Sequence, residues 1–409
     1  MVKPGYKQTE IGVIPEDWAD KKLGDVGKVC MCKRIFADQT SDTGEIPFFK
    51  IGTFGKEADA YISRELYEDF KRRFSYPQKG DVLISAAGTL GRSVVFDGKD
   101  SYFQDSNIVW LDLDKEQLCN EYLYHYYKVI QWASSEGSTI ARLYNGIICN
   151  THIAVPDVEE QKKIANVLSD VDELIFLTEK QLSKKKAIKQ GAMQELLTGK
   201  TRINGFNSAW KQTTIREIAT IFGRIGFRGY TKNDLVEPYK GAISLSPSNI
   251  VNSKLNLNNL TFISWEKYNE SPEIMLEVGD VILVKTGSTF GKSTYIDNCK
   301  WKITLNPQIV VFKRIKVNSR LFGYIVQSKE FQNQIAATVV GGAIPTLSQE
   351  QIYNFEVNIP VDEMEQLAIS SFLSDLDEEI EALEQKLAKY RQVKQGMMQQ
   401  LLTGKIRLV

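Results

Sequence analysis

The sequence predicts a mixed α/β (α+β) protein in which two tandem globular domains are separated by two long helices that form an antiparallel coiled coil, a pseudo-twofold internal repeat. One observation is a string that occurs twice among 409 residues, as KQGAMQELLTGK (Lys189–Lys200) and KQGMMQQLLTGK (Lys394–Lys405). Another is an apolar period typical of coiled coils before each copy. A third is the opposite charge of the two halves of each segment.

The repeat extends over the whole chain and predicts the domain boundaries. Trp18 corresponds to Trp210, and Gly80 of one GDV triplet corresponds to Gly279 of the other. The spacing between corresponding residues grows along the globular parts and is constant along the helical parts, so insertions collect in the globular parts, as they do in loops. We expect residues 1–155 to form the first globular domain, 156–203 the first helical spacer, 204–359 the second globular domain and 360–409 the second helical spacer.

Each globular domain is predicted to contain buried strands and short helices, with a strand order that the sequence pattern does not give. Apolar runs that end at glycine turns predict the strands, and short helices follow them. The predicted strands are Asp81–Gly88, Ser106–Leu113, Asp280–Gly287 and Pro307–Arg314, and the predicted helices lie near Asn120–Ala133 and Ser319–Ala337.

Each helical spacer carries a seam, a row of positions that alternate in steps of four and three residues as in a coiled coil. Pro156 and Pro360 precede the spacers, and Gly199 and Gly404 follow them, as expected of helix ends. A helix of about 38 residues spans about 57 Å. The seam positions are Ile164, Leu168, Val171, Ile175, Thr178, Leu182, Lys185, Lys189, Ala192 and Leu196 in the first spacer, and Ile369, Leu373, Leu376, Ile380, Leu383, Leu387, Tyr390, Lys394, Met397 and Leu401 in the second.

Charge predicts how the two helices pair. Residues 362–384 contain nine acids and no bases, and residues 385–407 contain six bases and no acids. The first spacer has the same division, with seven acids and two bases in 157–179 and one acid and six bases in 180–200. This order suits the dipole of each helix. It also favours an antiparallel pair, because each acidic half then lies along a basic half.

Composition narrows the class of protein. The 51 basic and 51 acidic residues cancel, which disfavours a plain electrostatic nucleic-acid binder without excluding local basic surfaces. The five cysteines lack CxxC spacing and are read as reduced thiols, and two histidines make metal or acid–base chemistry unexpected. No metal site is predicted. The sequence has no long apolar run and no apolar signal segment, so we expect a cytoplasmic protein without membrane contact.

One motif is a near match to a phosphate-binding loop. The stretch TGSTFGKS (Thr286–Ser293) contains the glycine and lysine of that motif, but Thr286 replaces its first glycine and no helix pattern follows. The corresponding stretch of the first domain, AAGTLGRS (Ala86–Ser93), has arginine in place of the lysine. A nucleotide site is therefore not expected, and we find no other catalytic motif.

Basic residues with interleaved aromatics and glycines occur at corresponding places in both halves, which favours contact with nucleic-acid backbone and base edges. We predict that the side chains that contact DNA come from a basic cluster, from the turn after each GDV strand and from the start of the following strand. The candidates are Lys71, Arg72, Arg73, Thr89, Arg92 and Asn107 in the first half, and Arg224, Arg228, Lys285, Thr289, Lys292 and Gln308 in the second.

The whole chain resembles the DNA-specificity (S) subunits of type I restriction–modification systems. The resemblance is carried by the opening YKQTEIGVIPEDWADKKLGDV, by GDVLISAAGTLG and GDVILVKTGSTFG, and by the two helix ends. It is also carried by the helix entries VPDVEEQKKIANVLSDVDELI and IPVDEMEQLAISSFLSDLDEEI, where Val158 and Val361 stand where the family often has a second proline.

The resemblance implies a non-catalytic DNA-recognition subunit. Its two globular parts would be target recognition domains 1 and 2, each reading one half of a bipartite site in double-stranded DNA. The helices would set the spacer and dock two methyltransferase (modification) subunits, and restriction/translocase subunits would join them. No cofactor is expected in this chain, and S-adenosylmethionine, ATP and Mg are expected in the partner subunits.

Two other functions remain open from the residues alone. The first is a P-loop-like ATPase or nucleic-acid motor that depends on Lys292. The second is a duplicated coiled-coil scaffold that binds only protein. ATP binding that is lost on Lys292→Ala would favour the first, and absence of DNA binding even with partner subunits would favour the second.

Overall fold

The computed structural model describes residues 2–133, 142–224, 229–338 and 346–409. The chain forms two compact units, one of residues 1–179 with 385–409 and one of residues 180–384. Each unit contains one globular module and one half of each long helix. Among the described residues, no helix has both the length and the apolar composition needed to cross a bilayer.

The first unit contains two main sheets and two strand pairs. A four-stranded antiparallel sheet has the order β4-β10-β7-β8, a three-stranded sheet has the order β6-β5-β9, and β11 pairs with β3 and β1 with β2. The strands are β1 (Tyr6–Thr9), β2 (Gly12–Pro15), β3 (Ala19–Lys22), β4 (Gly27–Cys30), β5 (Ile46–Phe49), β6 (Tyr61–Ile62), β7 (Val82–Ser85), β8 (Ser93–Val95), β9 (Tyr102–Phe103), β10 (Ile108–Leu113) and β11 (His152–Val155). The helices are α1 (Leu23–Val26), α2 (Arg64–Arg73), α3 (Asn120–Tyr127), α4 (Asn145–Asn150) and α5 (Val158–Leu196), which continues into the second unit.

The second unit repeats this topology. Its sheets have the orders β13-β21-β18-β19 and β17-β14-β20, and β12 pairs with β22. The strands are β12 (Trp210–Thr214), β13 (Thr220–Gly223), β14 (Ala242–Leu245), β15 (Ile250–Val251), β16 (Lys254–Leu255), β17 (Thr261–Ile263), β18 (Val281–Val284), β19 (Ser293–Tyr295), β20 (Ile303–Leu305), β21 (Ile309–Lys313) and β22 (Glu356–Pro360). The helices are α6 (Ile215–Ile218), α7 (Trp265–Asn269), α8 (Ser319–Gln327), α9 (Lys329–Ala337), α10 (Gln349–Tyr353) and α11 (Glu363–Leu401). The paired strands β15 and β16 have no counterpart among the described residues of the first unit.

The four-stranded sheet of each unit is covered on both faces. Val109 and Leu111 of β10 belong to the core that includes Ile164 and Leu168 of α5. The alternate residue Trp110 belongs to a second, aromatic-rich core beneath the three-stranded sheet. A strand with both faces covered is apolar throughout, since successive side chains point to opposite faces. This explains why the sequence shows continuous apolar runs here.

The two predicted long helices are present as α5 and α11. Each has 39 residues, and each ends before a glycine with positive φ, 71° at Gly199 and 67° at Gly404. This left-handed conformation favours glycine and stops the helix. At the start of α5, the Asp157 carboxylate accepts a hydrogen bond from the Glu160 backbone N–H at 3.0 Å.

Ion pairs within each unit confirm the antiparallel pairing. In the first unit, Asp172 of α5 pairs with Lys394 of α11, and Glu179, further along α5, pairs with the earlier residue Arg391. In the second unit, Lys185 pairs with Glu379, and Lys189 pairs with Asp377 at 2.6 Å. Partners descend along one helix as they ascend along the other, as only an antiparallel pair allows. In the first unit α5 supplies the acids and α11 the bases, and in the second unit the roles are reversed, as the charge division predicts.

The shorter helices differ in length from the predicted segments. The segment near Asn120–Ala133 is helical only to Tyr127. The segment Ser319–Ala337 is divided into α8 and α9 at Ser328, whose hydroxyl accepts a hydrogen bond from the Phe331 backbone N–H at 3.2 Å and so begins a new helix. All five cysteines are free thiols, and burial raises the pKa of Cys32 to about 12.

Candidate nucleic-acid interface

The turn between β7 and β8 is held by backbone hydrogen bonds. The Ser85 N–H donates to the Arg92 carbonyl at 2.9 Å, and the Gly91 N–H returns to the Ser85 carbonyl at 2.9 Å. The Ala86 N–H donates to the Asn107 carbonyl at 2.7 Å, which fixes the turn beside the start of β10. The structure thus brings together the predicted residues Arg92 and Asn107, with Thr89 exposed at the tip of the turn between them.

The second unit builds the same frame around different side chains. The Val284 N–H donates to the Lys292 carbonyl at 2.8 Å, and the Gly291 N–H donates to the Val284 carbonyl at 3.0 Å. The Lys285 N–H donates to the Gln308 carbonyl at 2.8 Å, as Ala86 does to Asn107 in the first unit. The turn is one residue longer here, but its anchoring bonds are the same.

Side chains at the second frame are available for contact with a ligand. Lys292 and Gln308 are exposed, and among the described residues Lys292 has no ion-pair partner. Gln308 lies over Gly287, where an added Cβ would be 3.2 Å from the Gln308 Nε2 atom, and its Oε1 accepts from the Asn306 amide at 3.1 Å. An exposed amide beside an exposed ammonium can contact a base edge and a phosphate, respectively.

Two side chains at the first frame are held by the protein itself. The Arg92 Nη1 atom donates to the Phe54 carbonyl at 3.1 Å. The Asn107 Oδ1 atom accepts from Arg142 Nη2 at 3.2 Å, and the same guanidinium nitrogen donates to the Ser106 carbonyl at 3.2 Å. Arg142 was not among the predicted residues, and its place beside Asn107 adds a cation to the turn.

A second cation near this loop was also absent from the prediction. Arg34 lies in the loop after β4, and its Nε atom is 2.9 Å from an Asp105 carboxylate oxygen, two residues before Asn107. The Arg34 side chain is 60% exposed and the Asp105 side chain only 14%, so the guanidinium faces solvent while the carboxylate holds it. In the sequence, the only signal for this cation is the pair Lys33-Arg34 shortly after a strand.

The basic cluster Lys71–Arg73 forms the last turn of α2. Lys71 lies over the rings of Tyr67 and Tyr76 at 4.9 and 5.1 Å. Arg73 pairs with Asp69 at 2.7 Å and lies 5.3 Å from the centre of the Phe74 ring.

Lys33 lies 5.1 Å from the centre of the same Phe74 ring, and it is the chain neighbour of Arg34. Arg72 has a side chain that is 78% exposed and points its charge to solvent beside Asp69. Aromatic rings thus join the end of α2 to the loop after β4, and the first unit gathers six cations around these loops, namely Lys33, Arg34, Lys71, Arg72, Arg73 and Arg142.

Arg224 occupies the interior of the second module. Its side chain is buried, Nε donates to the Leu305 carbonyl at 2.9 Å, and Nη2 donates to the Thr304 hydroxyl at 3.2 Å. Burial lowers the pKa of this arginine. The position supports the strand end before Asn306 and Gln308, and it does not present the guanidinium to a ligand. Arg228 lies outside the described residues.

The near match to a phosphate-binding loop has the wrong setting for that function. Thr286–Ser293 connects the antiparallel strands β18 and β19, and no helix follows it. A phosphate-binding loop needs the amino end of a helix at this point. Among the residues that the structure describes, no group of three or more His, Cys, Asp and Glu side chains is arranged to hold a metal ion.

In each unit, the start of one long helix and the segment after the end of the other meet at one of the repeated tryptophans. In the first unit, the buried Glu160 carboxylate accepts from Trp18 Nε1 at 3.0 Å and from Arg407 Nε at 2.8 Å. Burial raises the pKa of Glu160, but the guanidinium and the other donors outweigh this effect and the net pKa is lowered. Arg407 also pairs with Asp17 at 2.7 Å.

The second unit repeats this arrangement with the corresponding residues. Glu365 is buried, accepts from Arg202 Nη2 at 2.6 Å and lies 3.4 Å from Trp210 Nε1. The repeated string ends both long helices, and an arginine two residues after each copy, Arg202 or Arg407, binds the corresponding buried carboxylate at the start of the other helix. This shared contact accounts for the repeat of the helix end. The sequence identified Trp18 and Trp210 only as landmarks of the repeat, and Glu160 and Glu365 only within the helix entries. Arg202 and Arg407 were missed, because the long chain separation of the partners hid their contact.

A duplicated α/β module, carried on antiparallel helices and presenting polar turns without a catalytic centre among the described residues, defines a recognition protein. The sequence matches the type I restriction modification DNA specificity domain over residues 15–187 and 207–390, and the chain belongs to this family. Its role in the family is DNA recognition, and the relatives are specificity subunits without catalytic function of their own.

Three relatives place the chain within the family. A protein of Haemophilus influenzae described as a type I restriction enzyme specificity subunit is 56% identical over 153 residues, which cover 37% of this chain and 40% of that protein. The MjaVIII specificity subunit of Methanocaldococcus jannaschii is 23% identical, with 97% of this chain and 94% of that protein covered. The crystal structure of an S subunit from M. genitalium has the same fold, with a TM-score of 0.64 at 14% identity over 98% of this chain and 99% of that chain.

Proposed function

We propose that this chain reads a bipartite site in double-stranded DNA, with each module reading one half-site and the helices setting the unread spacer. The observation that carries this proposal is the repeated backbone frame with different side chains. Arg92 and Asn107 in one unit correspond to Lys292 and Gln308 in the other, on equivalent hydrogen bonds. Two such frames can present different donors and acceptors to two different base sequences.

Contacts with phosphate and with base edges are assigned to different groups. The exposed cations at the end of α2, with Arg34 and Lys292, would contact phosphates and give salt-dependent affinity. The amides of Asn107 and Gln308 would contact base edges, as asparagine and glutamine do with adenine. Thr289 and Thr89, on the two turns, would contact phosphate or a base edge.

Lys285 and the buried Arg224 would contribute through the frame. Lys285 bonds through its backbone, since its N–H reaches Gln308 and its carbonyl accepts from Leu347 at 2.8 Å. Arg224 would support the loop of Gln308 from within, and its contact with DNA, like that of Arg228, stays a prediction.

The partners of the chain follow from its family. We infer that two methyltransferase subunits dock on the helical part, and that restriction/translocase subunits join the assembly. S-adenosylmethionine, ATP and Mg would bind to those partners. Exposed apolar side chains at the start of α11 and just before it support such contacts. They are Val361, Met364 and Leu367.

Exchange of one module tests the proposal. Residues 204–359 would be replaced by the corresponding segment of a relative, and methylated adenines would be sequenced in cells that carry the complete system. We expect one half-site to change while the other half-site and the spacer remain. The same experiment on residues 1–155 should change only the opposite half-site. If both half-sites change together, independent reading by the two modules is wrong. If the complex binds no DNA, the scaffold function is favoured.

A further inference from the structure

A lysine interrupts the apolar seam at corresponding positions of the two long helices, Lys189 and Lys394. Lys394 of α11 pairs with Asp172 of α5 in the first unit, and Lys189 of α5 pairs with Asp377 of α11 in the second. The two pairs correspond to each other in the internal repeat. On each helix the aspartate and the lysine are 17 positions apart, so a single antiparallel register satisfies both pairs.

These two pairs are more buried than the other ion pairs between the helices. The side chains of Lys394 and Lys189 are 15% and 18% exposed. In the pair Arg391–Glu179 the side chains are 60% and 44% exposed. Exposed pairs contribute little because water and salt screen them, whereas a buried charge without a partner is strongly unfavourable. These half-buried pairs therefore discriminate between registers better than the exposed pairs do.

Each aspartate also binds the nearest helix of its globular module. In the second unit, the Tyr324 hydroxyl of α8 donates to the free carboxylate oxygen of Asp377 at 2.7 Å. In the first unit, Lys128, directly after α3, approaches the second carboxylate oxygen of Asp172 at 3.1 Å. One carboxylate in each unit thus joins both long helices to the module.

Around Asp172, the packed elements present several titratable groups. The buried His125 has Nε2 3.0 Å from the Ser169 hydroxyl and Nδ1 3.9 Å from the carboxylate, and burial lowers its pKa to about 4. Burial raises the pKa of Asp172, but Lys394 and Lys128 outweigh burial and lower it. The carboxylate therefore favours its charged form, and it accepts hydrogen bonds from Lys394 of α11 and from Lys128 after α3.

A slip of the helices by one heptad would place both aspartates against leucine. The register is antiparallel, so the residue that would face each aspartate follows from the observed pairs. The facing residues would be Leu401 for Asp172 and Leu196 for Asp377 after a slip in one direction, and Leu387 and Leu182 after a slip in the other. A carboxylate placed against leucine loses the lysine partner that the opposite helix supplies, and keeps only the partner from its module.

The lysines alone would not prevent a slip in the first direction. Lys394 would then reach Glu179, and Lys189 would reach Glu384. The leucine seam would also remain aligned, because a heptad shift preserves it. Discrimination against this register thus falls on the two aspartates.

We propose that Asp172 and Asp377 are the positioning residues that fix the register of the two long helices, couple it to the modules and so set the length of unread DNA between half-sites. A polar residue in a coiled-coil seam, here Lys189 or Lys394, selects a register at some cost in stability, and charged residues that flank the seam help to set the pairing. Because a heptad corresponds to about 10 Å along a helix, one slip equals about three base pairs of DNA. The statement on register stands on the contacts alone, and the statement on spacing rests on the proposed function.

The test is the full-length variant Asp172→Leu/Asp377→Leu, treated with a carbodiimide that joins amines to carboxylates in direct contact. In the wild type we expect links such as Lys186–Glu384, whose atoms are 2.7 Å apart. In the variant we expect new links, Lys394–Glu179 and Lys189–Glu384, which report the slipped register. Peptide mass spectrometry measures both sets on the same sample.

A matched control removes exposed ion pairs in place of buried ones. Lys186→Gln/Arg391→Gln breaks one surface pair in each unit and keeps the reporting carboxylates. We expect the Lys185–Glu379 link to persist in this control, with no slipped links. If the leucine variant does not fold, Asp172→Ala/Asp377→Ala removes the same carboxylates with less added volume and has the same expected links.

DNA spacing supplies the second measurement. In cells with the complete system, methylated adenines should show a preference for the native spacer that is at least about tenfold smaller in the leucine variant than in the control. Native links alone, with unchanged spacer preference, would overturn the proposal. Slipped links with unchanged spacing would refute the ruler function of the helices and leave the register assignment standing.

Discussion

Removal of the Arg407 guanidinium should destabilise the first unit much more than removal of an exposed arginine from the same helix pair. Arg407 is bonded to Glu160, whose side chain is 1% exposed, and the variant Arg407→Met keeps an unbranched apolar side chain without the charge. Loss of one partner from a buried ion pair costs about 3–5 kcal/mol. Glu160 keeps its bonds from Trp18 and from the Leu408 N–H, so we take the lower limit, about 3 kcal/mol.

Arg391→Met provides the matched control. Arg391 lies in α11 of the same unit, but its side chain is 60% exposed and its partner Glu179 is 44% exposed. Such a surface pair contributes about 0–1 kcal/mol. The two variants remove the same group and add the same methionine. Arg407→Met also removes the pair with Asp17, but Asp17 is 62% exposed, so most of the difference between the variants reports the buried pair with Glu160.

The assay must report each unit separately, because a protein of two compact units need not unfold in one step. Urea unfolding followed by pulsed hydrogen exchange, with peptides assigned by mass spectrometry, gives a midpoint for each unit. We expect Arg407→Met to lower the midpoint of the first unit and leave the second unchanged. Equal midpoints for Arg407→Met and Arg391→Met would refute the assignment of stability to the buried Glu160 carboxylate.

Three further results are expected. Gln308→Ala should lower discrimination at one base pair of the second half-site by about 1–3 kcal/mol, measured as binding to DNA with single substitutions. Lys292→Ala should weaken binding to all sequences alike and reduce the slope of affinity against salt by about one ion, whereas Lys240→Ala, an exposed lysine elsewhere in the same unit, should change neither. Because the pKa of Glu160 is lowered by folding, its contribution to stability is present above the ordinary carboxyl pKa and is lost as pH falls through the folded value, so Glu160→Gln should flatten the loss of stability between neutral and acidic pH.

The helical part of the fold was predictable because its signals are local. The four-three seam, the prolines before it and the glycines after it lie within one segment, and the charge division gave the antiparallel pairing. The strands β7, β10, β18 and β21 were also predicted at nearly their observed positions. Their order was not, since β10 lies between β4 and β7 and such pairings join distant segments.

In the candidate site, too, features set by nearby residues were predicted from the sequence, and features set by distant residues were not. Arg92 and Asn107 were predicted from the repeat, and the structure bonds both to the end of β7, through Ser85 and Ala86 respectively. Arg34 and Arg142 were missed because what positions them, Asp105 and Asn107, lies 71 and 35 residues away in the chain. The burial of Arg224 was hidden as well, since a basic residue among aromatics and glycines reads as a surface cluster.

In the second unit, the recognition turn is anchored by amides and carbonyls, which every residue type except proline supplies. Replacement of Lys292, Thr289 or Gln308 therefore leaves these anchors intact and changes only what the turn offers to a ligand. If the turn reads DNA as proposed, a lineage that carries this architecture would acquire a new target through single codon changes, without compensating mutations in the core.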